Sequence, residues 1–436
     1  MKSNTIAVLP FVNMGADPQH EFFSDGITVA IINALAQIEG LKVTSRTSSF
    51  AFKGKSLSIR EIASQLKVGV MLEGSVRTAG NQVRISAQLL QAEDDFHFWS
   101  ETWDRKLENI FELEDEISLL IADKLREQLG HFELEDQLVK KQTESLDAYT
   151  LSLKARYHFN HWSPDEVQKA IALYEEALLL DPNHVESLAG LADAYGFLAT
   201  IEFMPRDEGW ARASAYIQQA FELGPNHAGV HYQLANLVFF VDCDFQSAYQ
   251  HAQRAVQLMP NYAEAQQFMA FLHIISMQFP VAKKHLDIAF EIDPLSQETL
   301  FFSAYYHFRV GKVKKALSQV DDCLENNPHN IPAYVLKSYC LIDLGRLEEA
   351  LTFVQAMPDS ISVEGDKLGL QCLIYHKLGK RSMRKLFLPN LKPWQKSPTP
   401  IRPIPTSGSP MPSEAKLIWP LHGWKRCLRL NLRCCC

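Results

Sequence analysis

"AEAQQFMAFLHIISMQFPVAKKHLDIAFEIDPLS", residues 263–296, closes on Pro294 after an acidic residue. The same ending recurs in "LLLDPNH", "FELGPNH", "QLMPNY" and "ENNPHN", so prolines stand at 182, 225, 260, 294 and 328. Their spacings are 43, 35, 34 and 34 residues. A fixed period of this length marks a repeat array, in which each unit buries its apolar face only against its neighbours.

Thirty-four is the period of the tetratricopeptide repeat, and the stretch resembles that family at several places per unit. Counting Pro294 as the thirty-second place puts Ala282 and Ala289 at places 20 and 27, where the two helices of a unit cross. The same register gives Ala248 and Ala255, then Ala213 and Ala220, with Ala170 and Ala177 in the first unit. Leu188, Leu191, Ala192 and Tyr195 fit the first-helix pattern. The nine extra residues between Pro182 and Pro225 fall around "IEFMPRDEGW" (201–210), read as a lengthened loop between helices. Residues 331–357 make a sixth unit, and 364–380 can begin a seventh. The resemblance implies an all-α solenoid over residues 147–385, with a concave groove lined by the first helix of each unit. Places 5, 9 and 12 give Gln233, Leu237 and Phe240, then Gln267, Phe271 and Ile274, then Phe301, Tyr305 and Phe308. These side chains are mostly aromatic and apolar. A clamp for a terminal carboxylate uses lysine, arginine and asparagine, so the expected ligand is an apolar helix or an extended peptide. The competing reading has the same rings packing between neighbouring first helices.

Upstream the pattern changes. "IAVLPF" (6–11) is a continuous apolar run, as in a strand covered on both faces. Ile27, Ile31, Ile32 and Leu35 fall at helical spacing, and "LKVTS" (41–45) returns as a strand. Ser58 and Glu61 form a capping box before a short helix. Val83, Ile85, Ala87 and Leu89 then alternate with polar residues after a Gly80-Asn81 turn, which predicts a hairpin over 70–90. "FHFWSETWD" (96–104) reads as a third strand, and residues 110–129 as an amphipathic closing helix. The expected order is β-α-β-α-β-β-β-α over residues 1–130.

"IAVLPFVNMGADPQHEFFSDGIT", "VTSRTSSFAFKGK", "LEGSVRTAGNQVRISAQLLQAEDDFHFWSETWDR" and "IFELEDEIS" resemble the TolB N-terminal-like domain of bacterial signalling proteins. That resemblance implies a domain set between an upstream effector (a DNA-binding helical module, a cyclase or a kinase) and a downstream repeat array. It implies no nucleotide role for Gly54-Lys55-Ser56, which has the end of a phosphate loop but Ser49 where that loop needs its opening glycine. Because the chain starts at this domain, an effector is expected to be missing, lost or encoded elsewhere.

Composition fits these readings. With 47% hydrophobic and 22% charged residues and a formal charge of −8, the chain resembles a soluble globular protein and not a general nucleic-acid binder. The eight cysteines form no C-x-x-C pair. His158 and His161 are spaced to share a metal, but no third ligand accompanies them. No nucleophile motif appears, so no catalytic residue, metal or cofactor is expected. A short acidic helical linker is read over 131–146. After Gly379-Lys380 the chain turns proline-rich, then basic and cysteine-rich, through residues 386–436. That tail reads as out-of-frame sequence, or else as a linker to a basic amphipathic end. The expected whole is a cytoplasmic, non-enzymatic module that binds a protein or peptide in its groove, with neither nucleic acid nor membrane as partner. The alternatives are the regulatory remnant of a transcriptional regulator or adenylate cyclase, and a small-ligand sensor near Ser45–Lys55.

Overall fold

The structure, a computed structural model, describes residues 4–15, 21–93, 96–129, 138–139, 143–159, 164–200, 203–326, 330–357 and 364–379. The proposed tail, most of the proposed linker and His161 lie outside these residues. The chain divides into two compact units, Met1–Thr299 and Leu300–Cys436.

The first unit opens with an α/β domain. Its strands are β1 (Thr5–Val8), β2 (Val12–Asn13), β3 (Lys42–Val43), β4 (Val70–Ala79), β5 (Gln82–Gln91) and β6 (Phe96–Lys106). Its helices are α1 (Glu21–Ala36), α2 (Arg46–Phe50), α3 (Ile59–Leu66) and α4 (Ile110–Leu129). The sheet order is β3-β1-β4-β5-β6, and β2 also pairs with β4. Strands β3, β1 and β4 run parallel, whereas β4, β5 and β6 form an antiparallel meander. Two short elements, β2 and α2, were not expected, because two and five residues are too few to show a period.

The apolar run in β1 is explained by a cover on each face. Ile6 and Val8 join Ile27, Ile31, Leu72, Ile85, Ile117 and Ile121 in one core, while Ala7 packs with Ile62, Leu66 and Met71 in another. Each fully buried aliphatic side chain is worth about 1.5–3 kcal/mol of transfer free energy. The capping box forms as read: the Ser58 side chain accepts from the Glu61 amide, and Glu61 Oε2 accepts from Ser58 N at 2.8 Å. Val83, Ile85, Ala87 and Leu89 all point into the core from β5.

Helix pairs follow: α5 (Leu146–Phe159) with α6 (Pro164–Leu180), α7 (Val185–Thr200) with α8 (Arg206–Leu223), α9 (Ala228–Phe240) with α10 (Phe245–Leu258), and α11 (Ala263–Ile275) with α12 (Phe279–Ile292). All eight alanines singled out from the repeat register are buried. The extra residues before Pro225 do not make a long loop. They mostly lengthen the helices, since α7 and α8 have 16 and 18 residues against 13 and 14 in α9 and α10. Further helices are α13 (Gln297–Arg309), α14 (Val313–Asn326), α15 (Ile331–Asp343), α16 (Leu347–Gln355) and α17 (Glu364–Lys377). In the second unit Ala316 and Cys323 occupy places 20 and 27, so this buried thiol stands where a small residue is required.

Among the described residues, five turns of the array pass through the left-handed region at one register position. Gly311, Gly345 and Gly379 hold it with φ of 80°, 75° and 72°, but Met277 holds it at 60° and Cys243 at 57°. A side chain there costs roughly 1 kcal/mol relative to glycine. Met277 is 52% exposed, so little burial is lost on truncation. Met277→Gly is therefore expected to stabilise the chain by about 1 kcal/mol, measured by urea denaturation; an unchanged or lower midpoint would contradict this.

Candidate functional site

The α/β domain and the first helix pairs meet through two sets of contacts. In the first, α1 lies against α5. A Cβ on Gly26 would sit 2.7 Å from Leu153 Cδ1, so glycine lets the two helices approach without displacing the Leu153 side chain. Lys154 Nζ lies 5.0 Å from the Phe22 ring centroid, and the Phe111 and Tyr149 rings meet edge to face at 4.5 Å. The Tyr149 hydroxyl donates to Glu114 Oε1 at 2.6 Å. Burial pushes the Glu114 carboxyl up to about 8, against the opposing hydrogen bond.

The second set joins "LKVTSRTSSF" (41–50) to the turns that follow α10 and α12. Ser45 N donates to the Ile292 carbonyl at 2.7 Å, and Ser48 Oγ donates to Asp293 while accepting from Leu295 N at 3.0 Å. Asn261 Nδ2 donates to the carbonyls of Leu41 at 2.8 Å and Ala36 at 3.1 Å. Lys42 and Glu291 form an exposed ion pair, and Leu295 packs beside Phe52, Ile62 and Leu66. Ser48 is wholly buried, and its hydroxyl is used in both directions. Such a serine is specific: removing it leaves the Leu295 amide without this acceptor and takes one of several donors from the buried Asp293 carboxylate.

Charged groups gather behind these contacts. Glu186 binds Arg156 at 3.0 Å and His227 at 2.8 Å. Burial raises its carboxyl, but His227 and Arg156 outweigh burial and hold it below the usual range. Burial pushes Asp193 up to about 6, against a hydrogen bond from Gln233. Burial also pushes Glu264 up to about 7, with Glu298, Asp293 and Asp193 adding to the effect. Glu186, Glu264 and Glu298 hold the second place of the first helices α7, α11 and α13, whereas α9 has Val230 there. The sequence reading used only places 5, 9 and 12 of the groove pattern, and so it passed over this row.

The structure puts most of the predicted groove residues inside. Leu237, Phe271, Phe301, Tyr305 and Phe308 are each under a tenth exposed, and only Gln233 and Phe240 are half-buried. Leu237 packs with Leu188, Ile217 and Leu234. Phe240 and Phe271 both lie against Phe268, at centroid distances of 6.3 and 6.0 Å, so these two are brought together. Gln233 stands apart, beside Asp193. In the second unit Phe301 packs on Phe302 at 5.5 Å, and the Tyr305 hydroxyl accepts from Arg309 Nη1 at 3.0 Å. Aromatic side chains at places 5, 9 and 12 thus fill space between helices.

Gly54-Lys55-Ser56 forms the exit turn of α2. Gly54 has φ of 72°, and the Lys55 amide donates back to the Phe52 carbonyl at 3.1 Å, so it does not point at a phosphate. His158 Nδ1 pairs with Glu166 Oε2 at 2.6 Å. Among the described residues no group of three His, Cys, Asp or Glu side chains is placed to hold a metal ion, and no helix is long and apolar enough to cross a membrane.

Residues 2–120 match the family described as the second domain of HilA/YgeH-like transcriptional regulators, a different name from the resemblance drawn on sequence. Residues 276–357 match the family of anaphase-promoting complex, cyclosome, subunit 3. Among curated proteins, the chain is 36% identical over 241 residues to "Putative adenylate cyclase 3" of Rhizobium meliloti, covering 53% of this chain and 39% of that one. It is 20% identical over 229 residues to transcriptional regulator HilA of Salmonella typhimurium, covering 52% and 39%. The chain thus spans about two-fifths of the length of these relatives. Among solved structures, a tetratricopeptide repeat protein from Parabacteroides merdae is 12% identical with a TM-score of 0.40, covering 57% of this chain and 93% of its own. The Cut9–Hcn1 assembly is 11% identical with a TM-score of 0.42, covering 61% and 46%.

Proposed function

We propose that this chain is a non-enzymatic regulatory module of bacterial signalling that works in the cytoplasm through protein–protein contact. The observation that carries the reading is the stack of helix pairs with a folded α/β domain already clasped by its turns. A surface that recognises backbone carbonyls, a serine and an apolar cluster on one folded partner has the chemistry to recognise another. Gln233 and Phe240, the half-buried members of the groove set, are the residues through which α9 meets a partner protein or peptide.

The test is capture by the full chain from a lysate of its source cells, with partners identified by mass spectrometry. Phe240→Asp combined with Gln233→Arg should lose specific partners that the unaltered chain retains, with helicity unchanged. An identical partner set would reject the groove. Tyr305→Ala with Phe271→Ala is unsuited to this purpose, because both rings are buried and their loss costs about 3–5 kcal/mol each.

The relatives support a second reading. Both are longer proteins, one named for a cyclase and one for transcription, and on this reading the α/β domain with its repeats serves as a regulatory part of a longer chain. On this reading the TolB-like character of residues 1–130 is that of a sensor or relay set beside an effector. Resequencing the genomic DNA on both sides of the reading frame tests it: an in-frame cyclase or DNA-binding domain supports the reading, and its absence on both sides rejects it.

A further inference from the structure

The two edges of the sheet are finished differently. At β3 the edge is capped by repeat turns, with Ser45 N donating to the Ile292 carbonyl and Asn261 to the Leu41 carbonyl. At the other edge stands β6, and among the described residues no strand pairs with its outer side. Trp103 alone of its residues is buried. A bare edge offers a row of N–H and C=O groups to another strand, and proteins usually blunt it with a bulge, a proline or an inward charge. The bulge here falls at Phe98, where the register with β5 slips between Leu89 and Leu90, so residues 99–106 stay regular.

The charges along this edge decide what can pair with it. Glu101 and Arg105 lie opposite Ala87 and Val83 of β5, on the core face, whereas Ser100, Thr102, Asp104 and Lys106 lie on the other face. Arg105 Nη2 reaches Glu116 on α4 at 2.9 Å, and Asp104 accepts from Arg84 at 2.7 Å. Glu101 is exposed and has no ion-pair partner among the described residues. Two copies of β6 can meet antiparallel about a two-fold axis, which fixes every opposed pair once its centre is chosen. An axis at Glu101, Asp104 or Arg105 sets that residue against its own copy, like charge on like. An axis at Thr102 opposes no charges at all. An axis at Trp103 sets Glu101 of each copy opposite Arg105 of the other, and opposes no like charges. Trp103 keeps its ring in its own core, 4% exposed, so the axis passes without a clash.

We infer that the chain forms a two-fold dimer through β6 in the register centred on Trp103, with Glu101 of each copy paired to Arg105 of the other. The occupant of the open edge is thus a second copy of this chain. Residues 100–106 then make opposed pairs over about 24 Å, with about six to eight backbone hydrogen bonds between the strands. The two meanders join into one continuous antiparallel sheet. A contact this narrow lies at the small end of specific interfaces, so the dissociation constant is expected on the order of 10 µM. The two ion pairs select the register, and the backbone bonds supply most of the affinity. This contact is separate from the α9 surface proposed above for partners.

The experiment is sedimentation equilibrium of the full chain from about 1 to about 200 µM, over which monomer should pass into dimer. Glu101→Arg opposes two arginines at each end of the contact and should weaken the dimer at least ~10-fold, because symmetry doubles each substitution. Arg105→Glu opposes two glutamates and should do the same. Mixed in equal amounts, the two variants should dimerise again, since each then meets the opposite charge on the other. Both sites are on the surface, so helicity by circular dichroism should match that of the unaltered chain. The inference is overturned if the chain is monomeric throughout the range, which would leave the edge to a strand of another protein. It is also overturned if either single variant dimerises as the unaltered chain does, or if the mixture stays monomeric.

Discussion

Glu114→Gln is expected to abolish most of the stability that the chain loses between pH 5 and pH 9. Glu114 is 1% exposed on α4, beside the hydroxyl of the equally buried Tyr149. Burial raises its carboxyl from 4.5 to about 8. A carboxyl with a raised folded-state pKa contributes stability that is complete below its unfolded value and is lost as pH climbs through the folded one. The affected window therefore runs from about pH 4.5 to about pH 8. At 1.36 kcal/mol per pKa unit the loss is on the order of 5 kcal/mol. Glu264, raised to about 7, and Asp193, raised to about 6, act in the same direction and are half-buried, so their shares are smaller. On the acid side, carboxyls held below their usual range, such as Glu186, act together with histidines. Burial, with His273 stacked beside it, lowers His285 to about 4, and its contribution is lost as pH falls from 6.5 toward that value. Glutamine keeps an acceptor for Tyr149 and carries no charge, whereas leucine would strand the hydroxyl. Urea denaturation at pH 5, 7 and 9 checks the prediction. Parallel pH profiles for Glu114→Gln and the unaltered chain would remove its basis.

Gly190→Ala is expected to destabilise the first unit by about 1–2 kcal/mol, although alanine favours a helix more than glycine does. The added Cβ on α7 would stand 2.3, 2.6 and 2.7 Å from three carbons of the Tyr174 ring. A buried ring cannot swing aside as an aliphatic chain end does, and Tyr174 is further held by a hydrogen bond to Arg156. Overpacking of this kind costs about 1–3 kcal/mol, and here it also disturbs the Arg156–Glu186–His227 group. The helix-propensity gain of about 1 kcal/mol offsets part of that cost. Gly369→Ala on α17, whose Cβ would meet nothing within 4 Å, isolates the propensity gain and should stabilise slightly. Thermal melts of both variants separate the effects, and equal shifts in the two would show that the contact with Tyr174 carries no strain.

Much of the fold was readable because it rests on local periods. Ala248 and Ala255 announce a helix crossing by their spacing, and Val83 to Leu89 announce a strand by alternation. The candidate site was less readable. Phe271 and Tyr305 have groove spacing, but spacing does not say whether a ring faces solvent or a neighbouring helix, and here the large rings fill the gap. Glu264 was visible at place 2 and was passed over for the aromatic places. Ser48 and Asp293 are 245 residues apart, and nothing local in either segment points to the other. Arg46 was read as part of a family segment, and only the structure shows that its buried Nε has no acceptor.

The Ser48–Asp293 contact also has a mechanical meaning. A solenoid of helix pairs is compliant along its length, because each pair touches only its neighbours and small rotations between them accumulate. In the first unit the α/β domain is fixed to α5 at one end and to the turn after α12 at the other, like a rigid strut across a bow. With both ends tied to one body, the four helix pairs between them cannot change their curvature without breaking a buried serine–carboxylate bond. That segment is set as a fixed arc and does not behave as a spring.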